Sequence, residues 1–152
     1  MICVISQPTF LPWIGWFDLV DQSDVMVILD DVAFSKQSWQ QRNRIRTANG
    51  LQFLTVPVKT SGRLGQSILD CELADRIFIK KMIATLQANY AKAPFFADVI
   101  GELATTMEKA AQTGRLTELN CAIISWMVGI LEIKTPIIRA SQLGVGGNVE
   151  NM

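Results

Sequence analysis

The sequence predicts an α/β domain with a parallel-strand core, opened by a Rossmann-like βαβ unit, and a helical portion in its second half. Three observations carry that reading. Two continuous apolar runs, residues 2–6 and 25–29, flank a stretch at helical spacing. Three amphipathic stripes follow between residues 75 and 131, and a last apolar run at residues 135–140 returns after them. Strands that are apolar throughout are buried on both faces, the habit of parallel strands joined by helical crossovers.

Residues 2–6 form the first strand, closed by Gln7-Pro8. Trp13, Trp16, Phe17 and Val20 then recur at helical spacing, with Pro12 suited to a first turn. Residues 25–29 give the second strand, which stops at Asp30-Asp31. From 32 to 49 the periodicity fails and the residues turn polar and basic, which predicts a long loop, with or without a short helix, of the kind that carries function. Asn49-Gly50 marks a turn into a strand over 51–58, where Pro57 belongs near an edge or an end. Residues 60–66 read as a flexible Gly/Ser segment.

Phe78, Met82, Leu86 and Tyr90 stripe a first long helix over 75–90. Ile100, Leu103 and Met107 stripe a second over 97–112, stopped by Gly114. Thr117 is placed to cap a third, running to 131, with Leu119, Ile123, Trp126 and Ile130 facing the core. Residues 1–142 thus read as one domain, and the glycine-rich, aperiodic 143–152 as a flexible tail or a cut end.

Composition excludes several classes. The 152 residues are nearly half apolar and carry zero formal net charge, which argues against disorder and against a general nucleic-acid or membrane-surface binder. Apolar runs fall short of the roughly 20 residues a membrane span needs, so no membrane insertion is expected. Cys3, Cys71 and Cys121 form no CxxC pair, and the expectation is a reduced, cytoplasmic setting. Histidine is absent altogether, which removes Ser-His-Asp and Cys-His chemistry and His-ligated metals.

The candidate site follows from residues 7–58. Asp18, Asp21, Asp24, Asp30 and Asp31 precede every basic residue, and Lys36, Arg42, Arg44, Arg46, Lys59 and Arg63 then follow without an intervening acid. Gln7, Asp30 and Asp31 fall at the carboxyl ends of parallel strands, where α/β proteins bind ligands. Asp30 and Asp31 are the candidate catalytic residues, as a base or as ligands of a divalent metal; the plainer reading is a strand-end turn or a helix cap. Lys36, Arg42 and Arg44 suit a diphosphate, Arg42 ahead of Arg44; Trp39 offers a face to a sugar or base, and Gln7 and Asn43 offer neutral hydrogen bonds. Trp13, Trp16 and Trp126 are expected in the core.

QPTFLPWIGWFDLV, DVMVILDDVAFSKQSWQQRNRI, LTVPVK, NYAKAPFF and LEIKTPIIRAS resemble the WbqC-like protein family in order and spacing, from residue 1 to about 141. The positions matching the family pattern are Gln7, Pro8, Pro12 and Gly15, then Asp30 and Asp31, then Lys36, Trp39, Arg42 and Asn43, and finally Tyr90, Ala93 and Pro94. The resemblance implies a bacterial protein that accompanies genes for lipopolysaccharide O-antigen or other surface glycans. Two departures stand out. Phe78 and Met82 occupy places where members often show Trp and His, and members usually continue beyond the strand that ends near Ser141. Trp13-Ile14-Gly15-Trp16 after a first strand also resembles, more loosely, the HxGH element of nucleotidylyltransferases with both histidines replaced by tryptophan.

The expected function is that of an enzyme subunit, a transferase-like partner of a nucleotide- or phosphate-activated sugar in surface-glycan synthesis. The alternatives are a non-catalytic binding or scaffolding module and, in third place, an RNA-binding domain using Trp39 and the arginines as a stacking platform.

Overall fold

The structure, a computed structural model, describes residues 1–144. The tail expected over 143–152 lies, beyond Gly144, outside the described residues. Strand β1 (Cys3–Ser6) leads through a loop into helix α1 (Ile14–Asp21) and strand β2 (Val25–Ile28). A long segment follows, ending in the hairpin β3 (Arg42–Thr47) and β4 (Gly50–Thr55). Three helices come next, α2 (Ile77–Tyr90), α3 (Phe96–Ala110) and α4 (Leu116–Ile130), before strand β5 (Ile137–Arg139).

β1, β2 and β5 form a parallel sheet in that order, with Val4, Met26 and Ile137 in one row and Ile5, Val27 and Ile138 in the next. The α/β class and the parallel core therefore stand as expected. Alternation sends Val4, Met26, Ile28 and Ile137 to one face, where they pack on Trp16, Phe17 and Val20 of α1 and Ile124 of α4. A larger core lies between the hairpin and the three helices, built on Phe10, Leu54, Val56, Met107, Leu116, Leu119 and Ile123.

Local chemistry explains the helix limits. The Asp75 carboxylate accepts the N–H groups of Ile77 and Phe78 at 2.8 and 3.3 Å, satisfying two free donors at the start of α2. Helix α3 passes into a 3-10 turn and stops at Gly114, whose φ of 71° suits a residue without a Cβ. Thr117 does not cap α4. It is buried one residue inside the helix, and its hydroxyl donates to the Ile68 carbonyl at 2.9 Å.

One element departs from the sequence reading. The end of the expected loop is strand β3, paired antiparallel with β4 so that Thr47 faces Gly50 across a two-residue turn. RNRIRT hides as a strand because Ile45 is its single apolar side chain, partly buried against the larger core.

Candidate ligand-binding cleft

Two walls rise where β1 and β2 end. The first is the loop between β1 and α1. Buried Phe10 anchors it in the larger core, and the Ser6 hydroxyl accepts the Trp16 indole N–H at 3.1 Å, fixing the first turn of α1 over the end of β1. Leu11 sits in the left-handed region at φ 46°, a conformation costly for a branched side chain. Its carbonyl is clamped by Asn43 Nδ2 at 2.6 Å, which also reaches the Phe10 carbonyl at 3.2 Å.

The second wall is the segment from 31 to 41, shaped by two buried glutamines. Gln40 Oε1 accepts the Ser35 N–H at 2.8 Å, and its Nε2 donates to Gln7 Oε1 at 2.7 Å. Gln41 Oε1 accepts the Gln37 N–H at 2.9 Å, and its Nε2 donates to the Val56 carbonyl at 3.2 Å. The walls are tied directly by the Phe10 N–H to the Trp39 carbonyl at 2.9 Å. From beneath, Asn120 of α4 donates through Nδ2 to the carbonyls of Pro8 and Gln40, both at 2.8 Å. These bonds satisfy loop backbone groups that have no strand or helix partner.

Between the walls lies a cleft of about 620 Å³, with the indoles of Trp13, Trp16 and Trp39 on its sides and the hydroxyls of Ser6 and Thr9 on its rim. Trp13 is 67% exposed and Trp39 49% exposed, a wide apolar area to leave uncovered. The Arg44 guanidinium, also in the lining, stands 5.4 Å from the Trp39 ring centroid, and Arg42 stands 4.3 Å from that of Phe53. Among the described residues no carboxylate lines the cleft. Gly15 has a steric reason to be glycine, since a Cβ there would collide with the Trp13 ring folded across it.

Asp30 lies below this surface, wholly buried. Its Oδ1 accepts the Ser141 N–H at 3.0 Å, and its Oδ2 accepts the Ser141 hydroxyl and Arg139 Nε, both at 2.7 Å. Arg139 Nη1 donates onward to Glu118 Oε1 of α4 at 2.6 Å. Burial pushes the Asp30 carboxyl up, but the bonds from Ser141 and Arg139 outweigh it and hold the group below the ordinary aspartate range. The arrangement joins the ends of β2 and β5 to α4, and the guanidinium stands where a cation bound to Oδ2 would need room. Among the described residues no group of three or more His, Cys, Asp or Glu converges as a metal site.

The structure thus divides the expected site residues. Trp39 and Asn43 line the cleft, and Gln7 braces its two walls. Arg42 borders a smaller hollow on the other side of Trp39. Lys36 lines a separate groove with Phe34, Arg63 and Gln66, and Asp31 is exposed outside the cleft lining. Sequence reasoning ranked Arg44 below Arg42 for phosphate, whereas Arg44 is the one in the cleft lining; it missed Ser6 and Thr9, and it put Trp13 in the core. The available signal was WIGW itself, where glycine between two indoles leaves room for a ring to lie across the helix start.

Fold and cleft together define an α/β protein that offers an indole-walled cavity at the carboxyl ends of its parallel strands. The sequence pattern of the WbqC-like protein family matches residues 7–152, and the chain belongs to that family. It is 35% identical over 136 residues to the uncharacterized protein Rv1507c of Mycobacterium tuberculosis, a match covering 90% of this chain and 58% of that relative's length. No solved structure matches the chain significantly. No helix among the described residues is long and apolar enough to cross a membrane.

Proposed function

We propose that the chain binds a nucleotide- or phosphate-activated sugar in the indole cleft and presents it for group transfer in surface-glycan synthesis. The observation that carries this is the pairing of exposed Trp13 and Trp39 with the Arg44 guanidinium and two hydroxyls around one cavity. Indole faces stack on sugar or base rings, hydroxyls bond to ring substituents, and a guanidinium pairs with phosphate oxygens. The cavity volume is in the range of small-molecule sites. Membership of the WbqC-like family supports the glycan context. The three cysteines are free, in keeping with a reduced cytoplasmic setting.

In this reading Arg44 takes the phosphate-holding role in the cleft, with Arg42 beside it, while Asn43 and Gln7 hold the walls. Asp31, exposed and near the strand ends, is the carboxylate proposed to activate an acceptor hydroxyl or amine, and Asp30 keeps β2 and β5 in register. A second reading, a non-catalytic binding module, is favoured by a cleft lining that, among the described residues, holds no carboxylate.

Calorimetric titration with a panel of nucleotide sugars, sugar phosphates and free sugars tests the proposal. A nucleotide sugar or sugar phosphate should bind, the corresponding free sugar should bind far more weakly, and Arg44→Ala should erase that difference. Absence of binding across the panel would sink the proposal. Turnover in the presence of an acceptor, lost in Asp31→Asn with binding intact, separates the transfer reading from the binding module.

A further inference from the structure

Trp39 stands between two hollows. On one side lies the indole cleft, and on the other a smaller hollow of about 220 Å³ lined by Gln37, Ser38, Arg42 and Phe53. Trp39 and Arg44 belong to both linings and form the shared wall. Small-molecule sites begin at roughly 300 Å³. The smaller hollow falls below that, with room for one ring of a ligand seated in both.

Unopposed positive charge is gathered at that wall. Arg42 and Arg44 are alternate residues of β3, so their side chains leave the same face of the hairpin, with Cα atoms about 7 Å apart. Each guanidinium is backed by an aromatic ring, Arg42 by Phe53 at 4.3 Å and Arg44 by Trp39 at 5.4 Å. Such backing steadies the planar fork and leaves its N–H edge to an acceptor. Among the described residues neither arginine forms an ion pair, whereas Arg63 and Arg139 both do, and neither hollow has an acid in its lining.

The two arginines are placed unequally. Arg44 reaches both hollows and Arg42 only the smaller one. A lone phosphate in the indole cleft meets Arg44 and leaves Arg42 idle. A diphosphate diester crossing the edge of Trp39 engages both, because each of its phosphoryl groups carries one negative charge and a pair of free oxygens that matches one guanidinium fork. Its two substituents then fall on opposite sides of the indole. A nucleoside, base plus ribose, needs the larger space, and a single sugar ring suits the smaller. There Gln37, in the left-handed region at φ 61° with its N–H bonded to Gln41 Oε1, brings an amide side chain to the lining.

We infer that the smaller hollow is the sugar subsite of a nucleoside diphosphate sugar, whose diphosphate lies between Arg44 and Arg42 and whose nucleoside fills the indole cleft. This rests on the cleft being a ligand site, and it narrows the substrate to sugars carried on a diphosphate. Calorimetry on the 152-residue chain compares UDP-glucose, dTDP-glucose, ADP-glucose and GDP-mannose, each beside its nucleoside diphosphate and monophosphate. CMP-N-acetylneuraminate and glucose 1-phosphate serve as single-phosphate probes. One diphosphate sugar should bind, and its nucleoside monophosphate should bind at least roughly tenfold more weakly. Arg42→Ala should remove that difference while leaving the monophosphate unchanged. Gln37→Ala should weaken the diphosphate sugar and spare the nucleoside diphosphate, with unchanged urea midpoints showing that both variants fold. Tightest binding by a single-phosphate probe, an Arg42→Ala variant that holds the diphosphate sugar as before, or a Gln37→Ala variant that weakens both ligands alike overturns the inference and leaves the cleft proposal standing. Failure of every probe to bind overturns both.

Discussion

Asp30 shows how one carboxylate can be placed by a strand end and used for architecture. Removing it in Asp30→Ala leaves Arg139 and Ser141 without their shared acceptor, and the expected loss is about 3 kcal/mol in urea unfolding at pH 7. Its pH dependence has a fixed sign. The folded carboxyl lies below the unfolded value of about 3.9, so its contribution is complete above that pH and is lost as pH falls through the folded pKa. Asp30→Asn should therefore flatten the acid limb of the stability profile, measured by unfolding between pH 2 and 6 (about these limits); an unchanged limb would contradict the assignment. Gly15 makes the opposite case, a residue whose role is to leave space. Gly15→Ala should displace the Trp13 ring, keep stability within about 1 kcal/mol because alanine favours the helix, and weaken ligand binding roughly tenfold.

Among the elements, α4 does most to assemble the molecule. It faces both cores, holds Arg139 through Glu118, and reaches under the cleft through Asn120. Asn120→Ala strips two buried carbonyls of their donor, with an expected cost of about 2 kcal/mol and looser cleft walls, seen as faster hydrogen exchange at Phe10. α1, α2, α3, β1 and β2 were legible in the sequence because their apolar periods are set by their own packing. β3 was not, since its strand state comes from pairing with β4 and not from its own pattern. Thr117 misled for a related reason: hydroxyls cap helices locally, but this one bonds to Ile68, 49 residues away.

At the scale of the whole molecule, the strand ends and the functional loop were legible, while the cleft between them was not. Gln7 and Asp30 could be placed because strand termini follow from apolar runs. Which indoles face solvent depends on ties across long sequence separations, Phe10 to Trp39, Gln7 to Gln40 and Asn120 to Pro8, and no local pattern encodes those pairs. Hydrophobicity sends Trp13 inward with Trp16 and Trp126, yet it stands exposed opposite Trp39, whose place in the polar loop had already pointed to the site. Three of the four tryptophans line the cleft, and the fourth, Trp126, lies on α4 bonded to Glu102. Replacing it in Trp126→Phe leaves a protein whose fluorescence reports on the cleft alone. Titrating that variant with the nucleotide sugar or sugar phosphate found by calorimetry should give a saturable change in emission, and adding Trp39→Ala should raise Kd by roughly tenfold or more. Binding that leaves the emission unmoved, or that Trp39→Ala leaves unchanged, would place the ligand elsewhere and contradict the account.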